Sequence, residues 1–189
     1  MTIKYTQLLI AIIPCSVIAV ERTHVNAGVV AYACTENGAQ YLFAYDPDQK
    51  RQAWTTFGGG PKGQETASVT ALREFRQESN CAFTSAELNS FELDGPSESN
   101  GFFNFVLKIP YIEISEIAKP RECEDVERSF WVWVPHRNLI SALDSKYSKP
   151  FIRIDSNPPV KFYLWEGGVK SMRKVKDDGY ISNDDPCGY

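Results

Sequence analysis

The feature that most constrains this chain is a glycine-rich segment that runs directly into a charged, periodic stretch. The two together cover residues 59–81, GGPKGQETASVTALREFRQESNC. Glycine and proline crowd its start: Gly58, Gly59, Gly60, Pro61 and Gly63. Such residues disfavour helix and strand, so the sequence predicts a loop there. From about Thr66 the apolar residues recur at helical spacing, which predicts a helix that begins where the loop ends.

The predicted helix separates apolar from polar side chains. At about 100° per residue, Val69, Leu72 and Phe75 share one face, which we expect to pack on the core. Three polar side chains are expected on the opposite face: Glu74, Gln77 and Glu78. Two carboxylates in adjacent turns repel each other unless a positive charge lies between them, and oxygen ligands of this kind suit Mg²⁺ or Mn²⁺. The alternative is an ordinary amphipathic helix with a solvated charged face.

The spacing of these residues resembles the Nudix box, G-x5-E-x7-R-E-U-x-E-E-x-G-U, in which U is a bulky aliphatic residue. Five positions match strictly: Gly59, Glu65, Arg73, Glu74 and Glu78. Phe75 is bulky and apolar but not aliphatic. Three positions depart from the pattern, because Gln77 replaces a Glu, Asn80 replaces the late Gly, and Cys81 replaces the final aliphatic residue.

The resemblance implies a function and a set of roles. Nudix enzymes are metal-dependent hydrolases that cleave a nucleoside diphosphate linked to another moiety. Carried over by position, Glu74 and Glu78 are catalytic residues and ligands of Mg²⁺ or Mn²⁺, and Arg73 holds a box carboxylate in place by ion pairing. Gln77 occupies the position of a third metal ligand, where its neutral amide can coordinate but adds no charge and takes no proton.

Further residues are expected to support this site. Glu65 is expected to hold other box residues in place, and the backbone amides of Gly58, Gly59 and Gly60 are expected to approach the metal–phosphate cluster. The general base of the family can lie on a later loop, where three candidates occur: Glu122, Glu124 and Glu127. A solvated loop charge is the simpler interpretation of each of these three.

Two functions remain open at this point. An active hydrolase is favoured because Glu74 and Glu78 are both present. A Nudix-fold nucleotide-binding or regulatory module with weak or no catalysis is the alternative, and the departures at Gln77 and Asn80 motivate it. In either case the expected partner is a small-molecule nucleoside diphosphate derivative.

Length, composition and patterning predict one α+β domain. The chain has 189 residues, of which 43% are hydrophobic, and its net charge of −4 argues against a nucleic-acid partner. Strand-like segments at residues 25–34, 40–45, 101–112 and 129–134, with a second helix at 136–143, indicate helices packed on a sheet. The resemblance implies a Nudix-like α/β/α sandwich with a mixed sheet over residues 20–145. Residues 146–189 form a C-terminal extension, with a loose tail from residue 177.

The amino terminus differs in kind from the rest. Residues 1–19 resemble a short secretory signal peptide with cleavage after Ala19, which predicts a periplasmic or secreted protein. A buried element of a cytoplasmic protein is the alternative. The apolar run is shorter than the roughly 20 residues of a membrane span and contains Pro14, so no stable membrane insertion is expected.

Cysteine usage bears on the same question. Without residues 1–19, four cysteines remain, at positions Cys34, Cys81, Cys123 and Cys187. An exported protein can pair them, and the sequence does not choose among the three possible pairings. In a cytoplasmic protein they would be free thiols.

Overall fold

The computed structural model describes residues 22–48, 50–125, 127–147, 150–154 and 160–188, and residues 1–19 lie outside these ranges. The strands are β1 Asn26–Thr35, β2 Gly38–Asp46, β3 Ala53–Thr55, β4 Phe57–Gly59, β5 Leu93–Ser99, β6 Phe102–Lys108, β7 Trp131–Pro135, β8 Phe151–Ile154 and β9 Val160–Tyr163. The helices are α1 Ala67–Glu78, α2 Ser85–Leu88, α3 Ile114–Ile117, α4 His136–Asp144 and α5 Glu166–Asp177.

Seven strands form one mixed sheet around β1. Its main order is β3-β2-β1-β6-β5, with β4 also paired to β1 and β7 also paired to β2. The β1–β6 pair is parallel, with Val30 opposite Val106, whereas β1 and β2 are antiparallel, with Tyr32 opposite Tyr41. Strands β8 and β9 form a separate antiparallel pair. The prediction of a mixed sheet is confirmed.

Helices cover both faces of this sheet. Because side chains alternate along a strand, Val29 and Ala31 of β1 enter one apolar cluster and Val30 enters another on the opposite face. The first cluster also contains helical residues Phe75, Leu88 and Ile117, and the second contains Leu139, Met172 and Val175. The chain is therefore an α/β/α sandwich, as predicted, with α1 to α3 on one side and α4 and α5 on the other.

The glycine-rich segment includes a short strand that the sequence did not predict. Residues Phe57–Gly59 form β4, in which Gly58 lies opposite Gly28 of β1. A Cβ atom on Gly58 would lie 2.7 Å from the Gly28 Cα, so the two backbones approach to a distance that only glycine permits. The loop prediction is wrong for these residues and holds from Gly60 onward.

Helix α1 is rotated relative to the predicted apolar face. Its buried residues are Ala67, Thr70, Ala71, Phe75, Gln77 and Glu78. Val69 is 50% exposed, so the prediction that it packs on the core is wrong. Phe75 anchors the helix edge-to-face against Phe57, with ring centroids 4.9 Å apart, and the small Ala67 and Ala71 let the helix approach the sheet closely. This rotation buries Glu78 instead of exposing it to solvent.

The C-terminal region is packed and ordered by specific contacts. Ile181 is 2% exposed, Asp185 accepts a hydrogen bond from the backbone of Ala39, and Cys187 forms a disulfide with Cys34. The prediction of a loose tail is wrong for residues 178–188, and α5 was not predicted because Gly167 and Gly168 in its first turn suggested a turn. Among the described residues, no helix has the length and apolarity that crossing a bilayer requires.

Candidate active site

The box helix is framed by a capped start and a tethered end. The Thr66 hydroxyl caps α1 by accepting a hydrogen bond from the backbone of Val69. After the helix, Asn80 adopts φ 57°, a backbone conformation that glycine favours and asparagine tolerates. Its side-chain amide donates to the carbonyls of Ile117 and Lys119 at 2.7 and 2.8 Å. Asn80 therefore keeps the turn and ties the end of α1 to the segment after α3.

Arg73 organises one half of the box. Its Nε donates to Glu65 Oε1 at 2.9 Å, and its Nη1 donates to Glu74 Oε1 and Gln77 Oε1, both at 2.8 Å. Its Nη2 donates to the carbonyl of Gly60 at 2.6 Å. The hydrogen bonds from Arg73 lower the pKa of the Glu65 carboxyl. One guanidinium thus orients three box side chains against the glycine-rich segment.

Arg128 holds the other half of the box. Its Nη2 lies 2.5 Å from Glu78 Oε1, and its Nη1 lies 2.6 Å from Oδ2 of Asp46, the last residue of β2. The three side chains are only 2 to 3% exposed. The second oxygen of Glu78 accepts a hydrogen bond from the backbone N–H of Gly58 at 2.8 Å. Burial raises the pKa of Glu78, while the Arg128 charge and the Gly58 N–H, both of which favour the carboxylate form, oppose that rise.

The box side chains have the chemistry that a hard divalent cation requires. Glu74, Gln77 and Glu78 present carboxylate and amide oxygens within adjacent turns of α1. A Cβ atom on Gly59 would lie 2.6 Å from a Glu74 carboxylate oxygen, so the glycine leaves room beside that group. Each of the three side chains also contacts an arginine, and the described residues contain no cluster of three or more His, Cys, Asp or Glu side chains placed to hold a metal. The donor types fit Mg²⁺ or Mn²⁺, but an ion has to displace or share with a guanidinium.

The candidate bases lie on an exposed segment that a disulfide holds near the box. Glu122, Glu124 and Glu127 are all exposed in the segment between α3 and β7. Cys123 forms a disulfide with Cys81, three residues beyond the end of α1, which settles a pairing that the sequence left open.

Asp125 of this segment also contacts the box and was missed from the sequence. The Asp125 carboxylate is 2.8 Å from the Lys62 ammonium and accepts a hydrogen bond from Gln77 Nε2 at 3.4 Å. The bond from Lys62 lowers the pKa of that carboxyl. The nearby Cys123 was the available signal, but only a known pairing with Cys81 would have placed the segment beside α1.

Asp46 and Arg128 are two further site residues that sequence reasoning missed. They lie far apart in the sequence, at the end of β2 and just before β7, and each is buried. A charged residue at the end of an apolar strand was a weak signal for Asp46, because lone buried charges are rare unless they are paired. Nothing local marked Arg128 as the partner.

A cleft of about 410 Å³ adjoins the box on the side of β4. It lies between β4, β6 and the first turn of α5, and the backbone of Gly58, Gly59 and Gly60 forms part of its wall. Its charged lining residues are Arg51, Arg128 and Lys170. Among the described residues that line it, none carries a carboxylate. Its cations are nevertheless paired with carboxylates outside the lining: Arg51 and Arg128 with Asp46, Arg128 with Glu78, and Lys170 with Glu166. Aromatic surface is contributed by Phe102 and Trp165.

Comparisons with known proteins place these features in context. No family model matches the sequence, and no curated protein matches it. Solved structures with a similar fold include the C. elegans Ap4A hydrolase in a binary complex, at 18% identity, TM-score 0.44, and 65% coverage of this chain and 88% of that one.

Two others were solved with nucleotide ligands. The NUDIX domain of Shewanella oneidensis NrtR complexed with ADP ribose shows 10% identity, TM-score 0.48, and coverage of 87% of this chain and 94% of that one. A bifunctional NMN adenylyltransferase/ADP ribose pyrophosphatase from Francisella tularensis, complexed with AMP and a Mn ion, shows 13% identity, TM-score 0.46, and coverage of 85% and 43%. The box segment of this chain, and its mixed sheet between two helical layers, are similar to the Nudix pattern.

Proposed function

We propose that this chain is a Nudix-type diphosphate hydrolase that acts on a nucleoside diphosphate linked to another moiety. One observation carries the proposal. The box side chains of α1 lie directly behind the Gly58–Gly60 backbone, and that backbone is the wall of a cleft whose charged lining residues are all cationic. Hydrolysis of an anionic substrate needs binding charge and a reactive site side by side, and this arrangement provides both.

The cleft residues suit the two parts of such a substrate. Arg51 and Lys170 are cations that can bind phosphate oxygens. Trp165 offers an indole ring, 38% exposed, and Asn104 offers an amide for the nucleoside. The backbone of Gly58 and Gly59 carries no side chain that would keep the diphosphate away from the box.

Within this proposal, Glu74, Gln77 and Glu78 hold Mg²⁺ or Mn²⁺. When bound, the ion neutralises diphosphate charge and lowers the pKa of a water molecule. Arg73 is a positioning residue, because it orients Glu74 and Gln77 through the hydrogen bonds described above, and Glu65 in turn anchors Arg73. Proton transfer is assigned to the segment between α3 and β7, where Asp125 joins Glu122, Glu124 and Glu127 as a candidate acceptor.

A second candidate function is a nucleotide-binding module with weak or no catalysis. It is favoured by the engagement of Glu78 with Arg128 and by the neutral side chain of Gln77, both of which reduce the charge available to a metal ion. The same cationic cleft would serve this function equally well.

Export is part of the proposal. The pairs Cys34–Cys187 and Cys81–Cys123 support it, because structural disulfides persist in oxidising compartments such as the periplasm and the extracellular space. The proposal therefore has residues 1–19 act as a signal peptide.

The deciding experiment is a hydrolysis screen of nucleoside diphosphate conjugates with the disulfide-intact protein, in which an added phosphomonoesterase releases inorganic phosphate from the two phosphomonoester products for detection. Each conjugate is tested with Mg²⁺, with Mn²⁺ and with EDTA, and its binding is measured in parallel by calorimetry. Metal-dependent turnover of at least one conjugate supports the hydrolase. Binding without turnover favours the module, and neither binding nor turnover rejects both functions.

A further inference from the structure

Arg128 is the one side chain, among those described, that both forms an ion pair with a box carboxylate and lines the cleft. We propose that Arg128 is an internal cation that competes with a divalent ion for the Glu78 carboxylate, so that an ion reaches Glu78 only when the guanidinium leaves it. The inference rests on the proposed function, since it concerns the ion assigned there to Glu78. It concerns a positioning role and assigns Arg128 no contact with reacting atoms.

Both carboxylate oxygens of Glu78 already have partners. Oε1 is 2.5 Å from Arg128 Nη2, and Oε2 accepts the N–H of Gly58 at 2.8 Å. A divalent ion binds a carboxylate through these same oxygens. Because the side chain is 2% exposed, Glu78 has no freedom to turn toward another ion without leaving these partners.

The charges around Glu78 also oppose the binding of an additional cation. Glu78 and Asp46 carry two negative charges, and they are matched by Arg128 and by Arg51, whose Nε is 3.0 Å from Asp46 Oδ2. The charges of these four side chains balance without any bound ion, and three of the four side chains are only 2 to 3% exposed. Adding a divalent cation beside an intact Arg128 would put excess positive charge in a low-dielectric interior, which is strongly unfavourable. Metal binding at Glu78 therefore requires the guanidinium to leave.

Arg128 can also bind alternative anionic partners in the cleft. The Nε of Arg128 is buried without a hydrogen-bond partner among the described residues, so the observed position of the side chain leaves one donor unsatisfied. The same side chain lines the cleft, where the diphosphate of the proposed substrate offers it new anionic partners. Substrate and metal would then bind together, each favouring the other.

Mn²⁺ binding in the absence of nucleotide tests the competition. Free Mn²⁺ is followed by electron paramagnetic resonance during titration of the disulfide-intact wild type and two variants. Arg128→Gln removes the competitor, and we expect it to bind Mn²⁺ at least about tenfold more tightly. Arg128→Lys keeps the positive charge and is expected to stay within about threefold of the wild type.

A second substitution in each background locates the ion. Glu78→Gln should abolish the gain of the Arg128→Gln variant, yet change the Mn²⁺ affinity of the wild type by less than about twofold, since Glu78 is not available there. A gain that survives Glu78→Gln, equal affinities of the wild type and Arg128→Gln, or a several-fold loss in wild type carrying Glu78→Gln would each overturn the proposal.

A double substitution that keeps the net charge serves as the control for folding. If Arg128→Gln fails to fold because Asp46 is left unpaired, the double variant Asp46→Asn with Arg128→Gln removes both charges and should show the same gain. The titrations involve no turnover, so they separate this inference from the proposed hydrolase. If the protein hydrolyses no conjugate but its Arg128→Gln variant binds Mn²⁺ more tightly, the inference about Arg128 stands. If the protein is an active hydrolase but Arg128→Gln gains no Mn²⁺ affinity, only the inference about Arg128 is rejected.

Discussion

The Glu78 carboxylate and the Arg128 guanidinium lie 2.5 Å apart, and both side chains are almost fully excluded from solvent. The contact joins the last residue of the box helix to the segment before β7. Breaking a buried pair by removing one partner costs about 3–5 kcal/mol, because the remaining charge has no water to solvate it. The box of this chain is therefore part of its structural core as well as its candidate site.

Glu78→Gln should abolish most activity while leaving the protein folded. The substitution keeps size and helix propensity but removes a proposed metal-binding charge, and we expect kcat to fall by at least about 100-fold. Arg128 keeps Asp46 as a partner, so the loss of stability should be about 1–3 kcal/mol. Steady-state kinetics and chemical denaturation measure the two effects. Glu36→Gln, at an exposed position in the β1–β2 turn, is the matched control.

Gln77→Glu should destabilise the metal-free protein and stabilise the protein in the presence of Mg²⁺. The change replaces a donor that faces the Asp125 carboxylate with a negative charge, so the metal-free protein should lose about 0.5 kcal/mol. With Mg²⁺ the sign should reverse, because an ion that binds the folded state stabilises it. Melting temperatures across a Mg²⁺ titration, with exposed Gln52→Glu as the control, test this. Equal Mg²⁺ responses of parent and variant, measured in the Arg128→Gln background so that Glu78 is open to the ion, would mean that position 77 does not contact the ion.

The two disulfides should affect stability and activity differently. Cys34 and Cys187 are 153 residues apart and Cys81 and Cys123 are 42 apart. Chain-entropy arguments give upper estimates of about 5 and about 4 kcal/mol for the two bridges. Replacing Cys34 and Cys187 by Ala should therefore destabilise the protein at least as much as replacing Cys81 and Cys123 does. Replacing Cys81 and Cys123 should lower activity more than the other double variant, since that bridge holds the segment of Asp125 beside the box. Denaturation midpoints and kcat values of the two double variants test both expectations. Equal activities would mean that the position of the Asp125 segment does not affect catalysis.

Asn80 offers a separate measure of the tether at the end of α1. Asn80→Gly keeps the positive φ but removes two hydrogen bonds, to Ile117 and Lys119, and should cost about 1–2 kcal/mol. Asn80→Ala should cost more, because it adds the strain of a left-handed backbone at a residue with a Cβ. Urea denaturation of both variants is sufficient. A neutral Asn80→Gly would show that the tether contributes nothing to the folded state.

Processing of the amino terminus can be checked directly. If residues 1–19 are a signal peptide, protein recovered from an exporting host should begin at Val20. Intact-mass measurement distinguishes the two forms by the mass of those residues. Retention of Met1 in a soluble cytosolic fraction would contradict the export proposal.

Local patterns in the sequence were enough for much of this chain. The apolar runs within Asn26–Thr35 and Gly38–Asp46 and the spacing of His136–Asp144 predicted β1, β2 and α4 close to their observed bounds. The offsets among Gly59, Glu65 and Arg73 identified the box and, through it, the layered fold. These features are carried by residues close together in the chain, so short-range periodicity and spacing report them.

Other features were decided only by contacts between distant residues. The rotation of α1 depends on Phe75 contacting Phe57 on one face of the sheet, and the helix pattern alone could not distinguish that side of the helix from the one with Val69. The pairing of Glu78 with Arg128 joins residues 50 positions apart in the sequence, and the disulfide that places Asp125 beside Gln77 joins cysteines 42 positions apart. The free energy of such contacts comes from burial and charge compensation in the folded interior, which no local stretch of sequence encodes.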